Sequence, residues 1–99
     1  MCGRFALKTL SAELIQQFEL DECVDFLPNS NIAPGTDIPV IRYSPEGKRV
    51  LHLLKWGLVP RWAKDPSIGN KLINARSESL AEKPSFRDAY QKRRCLIPA

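Results

Sequence analysis

The tightest local constraint on this chain is a turn, Ser44-Pro45-Glu46-Gly47, set between two apolar runs at residues 38–43 (IPVIRY) and 48–56 (KRVLHLLKW). Proline in the second position of four is already at the φ a type I turn requires, and glycine suits the fourth. Both flanking runs have strand length, so an antiparallel hairpin is expected. Upstream, residues 2–7 (CGRFAL) read as a short strand. Ser11 is expected to cap a helix that carries Glu13 in its first turn, where the dipole favours an acid. Leu14, Ile15 and Phe18 give that helix an apolar face through about Leu20, and Leu10 with Ile15 has the spacing of a hydrophobic staple. Residues 21–31 read as a loop and residues 31–36 (NIAPGT) as turn material. Further on, residues 72–76 (LINAR) read as a strand. Ser85 is expected to cap a helix that ends in Gln91-Lys92-Arg93-Arg94, and Cys95-Leu96-Ile97 to begin another strand.

Ninety-nine residues allow one small domain, and 43% hydrophobic with 26% charged residues is a globular rather than a disordered composition. No apolar run reaches transmembrane length and no signal-peptide pattern opens the chain, so no membrane partner is expected. Three cysteines without CxxC spacing and a single histidine, His52, argue against a disulfide framework or a zinc site, and for a reducing, cytoplasmic setting. His52 and Cys23 have no companions that suggest chemistry and read as structural. Charge is uneven. Residues 1–50 hold five Lys/Arg and seven Asp/Glu, net −2, whereas residues 51–99 hold ten and four, net +6. A basic second half suits a polyanion, although +4 overall is ordinary.

The residues with the most chemistry stand at the start, Met1-Cys2-Gly3-Arg4. If Met1 is removed, Cys2 carries a free α-amine beside its thiol. Such a 1,2-aminothiol can use the amine as base for the thiol. It can also trap an aldehyde as a Schiff base that the thiol closes into a thiazolidine. Reference pKa values of about 7.7–8.0 for the amine and about 8.5 for the thiol leave both reactive forms available near neutrality. Against this stands the ordinary reading of cysteine as a small core residue. In an extended strand Arg4 shares a face with Cys2, where a cation would lower both pKa values and hold an anionic group. Asn74 and Arg76 would form a matching pair on the strand at residues 72–76, an amide to orient an amine or sugar hydroxyl and a guanidinium to fork onto a phosphate. Trp56 and Trp62, with Arg61 and Lys64 beside them, have the stacking and charge that single-stranded nucleic acid uses. Trp56 also fits a core position, and Trp62, after Pro60-Arg61, fits one less well.

Six blocks carry a resemblance: MCGRF, NIAPG at 31–35, WGLVPRWAKD at 56–65, NARSES at 74–79, AEKPSFRDA at 81–89 and RRCLIPA at 93–99. In this order, spread over the whole chain, they resemble the SOS-response-associated peptidase (SRAP) family. The resemblance implies an α+β fold in which a mixed sheet curls into a partly closed barrel with helices packed around it. It also implies binding of single-stranded DNA at abasic sites, a thiazolidine crosslink through the N-terminal cysteine, and an autopeptidase activity that releases the initiator Met. No cofactor or metal is implied. Carried across by position, Cys2 is the nucleophile and Asn74 orients the amine and sugar end. Arg4 and Arg76 hold phosphates, Pro34 and Trp62 pack against bases, Asn31 supports its loop, and Arg61 and Lys83 add phosphate contacts. The family's later glutamate and histidine, which move protons around the Schiff base, lie beyond residue 99. Residues 1–99 are therefore expected to be the N-terminal part of one SRAP domain, with unpaired sheet edges that invite self-association. Two other functions fit part of the pattern. One is a non-covalent single-stranded nucleic-acid-binding module. The other is an N-terminal-cysteine glutamine amidotransferase, which also begins Met-Cys-Gly but shares none of the later blocks.

Overall fold

The computed structural model describes residues 2–99, so Met1 and its removal lie outside the described residues. The hairpin is present where the turn chemistry puts it. Strand β4 (Asp37–Tyr43) pairs antiparallel with β5 (Arg49–Lys55) in register Asp37↔Lys55 through Tyr43↔Arg49. The Gly47 amide donates to Ser44 O at 2.9 Å, with Gly47 at φ +80°. Ile38, Pro39, Val40 and Ile41 are all buried, so β4 is covered on both faces. Pro39 is tolerated because its missing N–H lies on the outer edge. Ile41, two residues on and therefore facing the same way, sends its amide outward to Leu96 O at 2.9 Å.

Three further strands and one helix precede the hairpin. Strand β1 (Phe5–Leu7) is shorter than residues 2–7, and α1 (Ser11–Phe18) follows it. Strands β2 (Glu22–Cys23) and β3 (Asn29–Ile32) both fall within what the sequence suggests is loop and turn. Strand β2 adds to β5 in parallel, Glu22↔Val50, to give a mixed sheet in the order β2-β5-β4. Strand β3 pairs antiparallel with β1 to form a separate two-stranded sheet. The strands of the described residues thus form two small sheets, and the expected single sheet curling into a partly closed barrel is not formed.

Four helix and strand expectations also need correction. Ser11 is the first residue of α1 rather than its cap; Leu10 holds the extended cap position and provides no side-chain bond. Helix α2 (Arg87–Lys92) likewise starts after Phe86, not at Ser85. Cys95-Leu96-Ile97 makes only an isolated bridge, Ile41↔Leu96. On α1, Leu14 is buried and Phe18 half-buried, but Ile15 and Leu10 remain exposed, so the staple spacing has no core to close against. The helix is tied down at its far end instead. Glu19 adopts φ 52°, and Arg49 of β5 donates to the Phe18 carbonyl at 3.1 Å.

Leu14 meets Leu7, Ile32, Ile38, Val40, Ile41 and Leu51 in one core, with Phe5, Phe18, Cys23 and Trp56 packed against it. Burying each such side chain stabilises by about 1.5–3 kcal/mol. This core joins the two sheets, since Leu7 and Ile32 come from one and Ile38 to Leu51 from the other. It thereby fixes where the N-terminal residues emerge.

Candidate nucleic-acid interface

Trp56, at the end of β5, organises the region around Cys2. A half-buried indole has one N–H that must find an acceptor, and Trp56 Nε1 donates to the Ile73 carbonyl at 3.1 Å. The Leu58 amide adds a bond to Leu72 O at 3.0 Å, so residues 72–73 are fastened to the strand end rather than forming the expected strand. The ring of Trp56 also packs edge-on against Phe5 of β1, centroids 5.4 Å apart at 67°. Its backbone holds a third segment. The Gly35 amide donates to Trp56 O at 2.9 Å and the Trp56 amide to Thr36 O at 3.0 Å, which places half-buried Pro34 beside the same residue.

These three attachments bring the two ends of the expected site together. Asn74, one residue past the anchored Ile73, donates from Nδ2 to the Cys2 carbonyl oxygen at 2.8 Å across 72 positions of sequence. The amide meets the backbone carbonyl of Cys2, not its thiol. Cys2 is exposed, and its thiol lies 3.4 Å from the Arg4 carbonyl. Residues 2–4 precede β1, and Arg4 is held sideways: its Nη1 donates to Asn31 Oδ1 at 3.1 Å. Asn31 is on β3 rather than in a turn, and its own amide is fixed by Asn29 Oδ1 at 2.8 Å. Arg76 follows Asn74 in irregular chain and is exposed; its carbonyl accepts from the Ser79 amide at 3.2 Å.

The remaining expected residues form a second group. Trp62 is 59% exposed, with Nε1 3.4 Å from the Pro84 carbonyl. Arg61 reaches Asp88 of α2 at 3.6 Å, and Lys83 is exposed next to Pro84. Between the groups, residues 57–71 are braced by a close backbone approach of Gly57, at φ +142°, to Gly69. The brace continues into a 3-10 turn, Pro66–Asn70, capped by the Asp65 carboxylate, which accepts from the Ser67 amide at 3.0 Å. That bond to the charged form holds the Asp65 pKa below its ordinary value.

Among the described residues Arg4, Arg76 and Lys83 enter no ion pair, so three exposed cations are unneutralised. The other two thiols are held protonated to higher pH. Burial, with Asp25 nearby, pushes the Cys23 thiol up, and burial does the same for Cys95 against the opposing pull of Arg42. Among the described residues no three His, Cys, Asp or Glu side chains gather where they could hold a metal ion, and no helix is long and apolar enough to cross a membrane. A groove of about 550 Å³ lined by Ile38, Val40, Leu54, Trp56, Ile73 and Ile97 includes none of Cys2, Arg4, Asn31, Pro34, Arg61, Trp62, Asn74, Arg76 and Lys83. Trp56 takes the core position its sequence context allowed, but its indole bond to Ile73 was not anticipated. The available signal was a strand-end indole whose single donor, once half-buried, had to be spent on another segment.

Comparison with known proteins places this arrangement. Abasic site processing protein YoqW of Bacillus subtilis is 46% identical over 102 residues, covering 100% of this chain and 45% of that protein. Abasic site processing protein YoaM of the same organism is 44% identical, over 100% of this chain and 44% of its own. The rat abasic site processing protein HMCES is 33% identical over 85 residues, 75% of this chain and 24% of that one. A crystal structure of a protein from Bordetella bronchiseptica shares the fold, with TM-score 0.77 at 22% identity over 99% of this chain and 48% of that one. The chain thus spans somewhat under half the length of the bacterial relatives it matches. Residues 1–99 match the family described as SOS response associated peptidase (SRAP), and the chain belongs to that family.

Proposed function

We propose that this chain, as the N-terminal part of one SRAP domain, captures abasic sites in single-stranded DNA through Cys2. Once Met1 has left, by attack of the Cys2 thiol on the Met1 carbonyl and hydrolysis or by another peptidase, the α-amine is free. It condenses with the open-chain aldehyde of the abasic sugar, releasing water, to give an imine. The thiol then adds to the imine carbon, and its proton ends on the nitrogen of a thiazolidine. Asn74 fixes the direction from which Cys2 meets the sugar. Arg4, held by Asn31, and Arg76 take the flanking phosphates, while Pro34 and Trp62 lie against bases. This chemistry belongs to a DNA-damage response in the cytoplasm, at the nucleoid when DNA is bound. The supporting observation is the 2.8 Å bond from Asn74 to the Cys2 carbonyl, which builds a support around the terminal residue.

The test is a denaturing gel after incubation with a single-stranded oligonucleotide carrying one abasic site. A shifted band is expected for the wild type and none for Cys2→Ala. Asn74→Ala should slow its formation on the order of ten- to a hundredfold, the usual cost of a misplaced reacting group. No band from protein whose mass shows Met1 removed would overturn the reading. Exposed Trp62 beside Arg61 favours a second reading, non-covalent binding to single strands. Under it, a complex forms in native conditions and dissolves in denaturant.

A further inference from the structure

Asp88 on α2 collects three cations. Arg61 Nη2 lies 3.6 Å from Asp88 Oδ2, Arg93 Nη2 3.4 Å from the same oxygen, and Lys92 Nζ 3.4 Å from Oδ1. All three distances exceed the roughly 2.7–2.9 Å of a good charge-assisted hydrogen bond. Oδ2 is sealed from solvent yet has no hydrogen-bond partner. One carboxylate therefore holds three cations loosely. The cluster keeps two positive charges uncompensated, and its N–H donors are not committed to strong bonds. The three cations are themselves half to three-quarters exposed, at 74%, 64% and 47%. Arg61 precedes Trp62, whose exposed ring is steered toward the same segment by the bond to Pro84. An anion-seeking cluster thus stands next to a surface suited to stacking.

We propose that Arg61, Lys92 and Arg93 form a backbone-phosphate seat for single-stranded DNA, and that Asp88 is its internal competitor. An arriving phosphodiester takes the donors that Asp88 holds loosely. Asp88 keeps the cations gathered between encounters and weakens binding to undamaged strands. The seat rests on the proposal that the chain binds single-stranded DNA, but it is independent of the crosslink at Cys2.

The experiment titrates wild type and variants with an intact single-stranded oligonucleotide, followed by fluorescence anisotropy over a series of salt concentrations. Lys92→Gln should reduce the slope of log affinity against log salt by about 0.7, the value for one phosphate contact on a single strand. Asp88→Asn should tighten binding at low salt by roughly three- to tenfold and steepen the slope. Glu46→Gln, in the hairpin turn, makes the same change in net charge away from the cluster and should change affinity much less. An unchanged slope for Lys92→Gln overturns the seat, as does equal tightening by Asp88→Asn and Glu46→Gln. If Asp88→Asn does not fold, the Lys92→Gln slope decides. A wild type that crosslinks abasic DNA on a denaturing gel, with no salt effect from Lys92, would remove the seat and leave the proposed function standing.

Discussion

Cys2, Cys23 and Cys95 share a side chain and differ in what surrounds it. Cys2 is exposed before the first strand, with its residue held through the carbonyl by Asn74. Cys23 is packed against the core in β2 beside Asp25, and the Cys95 thiol is partly covered although the residue as a whole is exposed. In both of the latter, burial raises the pKa, so the thiol stays protonated to higher pH and less thiolate exists at neutrality. In a Cys2→Ala background, iodoacetamide should therefore label Cys23 and Cys95 several-fold more slowly at pH 7 than in the unfolded chain. The difference should narrow only as pH passes above the ordinary thiol range of about 8–9. Peptide mass spectrometry resolves the two sites. Labelling of Cys23 at pH 7 as fast in the folded protein as in denaturant would contradict the assigned burial. The same comparison shows why a cysteine count alone could not tell an exposed thiol from a packed one: accessibility depends on strands that pair across long stretches of sequence.

At the scale of elements, the connection between the hairpin and Asn74 depends on one close backbone approach. A Cβ on Gly57 would fall 2.5 Å from Gly69 O, and at φ +142° any side chain there is strained. Gly57→Ala should lower stability by about 2–4 kcal/mol, read as a lower urea midpoint at unchanged slope. Gly3→Ala, where a Cβ meets nothing within 4 Å, should leave the midpoint unchanged. Elements set by local chemistry were legible in the sequence. The β4–β5 hairpin follows from Pro45 and Gly47, and α1 from its apolar face. Elements set by remote partners were not. Strand β2 exists only because Glu22 and Cys23 find Val50 and Leu51, and Pro34-Gly35 masked the pairing of Ile32 with Phe5. Residues 72–76 have strand composition, but Leu72 and Ile73 spend their carbonyls on Leu58 and Trp56. The site was legible in the same uneven way. Cys2 has intrinsic chemistry, whereas its meeting with Asn74 depends on the Trp56 indole, and spacing carries no trace of that.

The whole molecule exposes more surface than its mass warrants. A folded monomer of 11.2 kDa is expected to present about 5,700 Å² by the usual size scaling, whereas this chain presents 7260 Å². Its radius of gyration is 14.1 Å against about 12.6 Å for a compact domain of this length. The excess, roughly 1,500 Å² on one chain, is about twice the 800 Å² or so that one partner contributes to a standard protein interface. Part of it is apolar: Tyr43 is 63%, Leu54 47% and Ile97 51% exposed, and all three line the groove beside β4 and β5. The outer edge of β4 is bridged only at Ile41 among the described residues, which leaves backbone donors and acceptors open as well. A chain with this surface should associate with itself, with a dissociation constant on the order of micromolar for an interface of ordinary quality. Sedimentation equilibrium across that range should show an average mass rising above 11.2 kDa. The double substitution Leu54→Lys with Ile97→Lys should hold the protein at the monomer mass, because two charges cannot enter an apolar interface unpaired. It should leave the proposed crosslinking at Cys2 intact, since neither residue belongs to the proposed site. A wild type that stays monomeric throughout the range would mean that the apolar groove does not drive self-association.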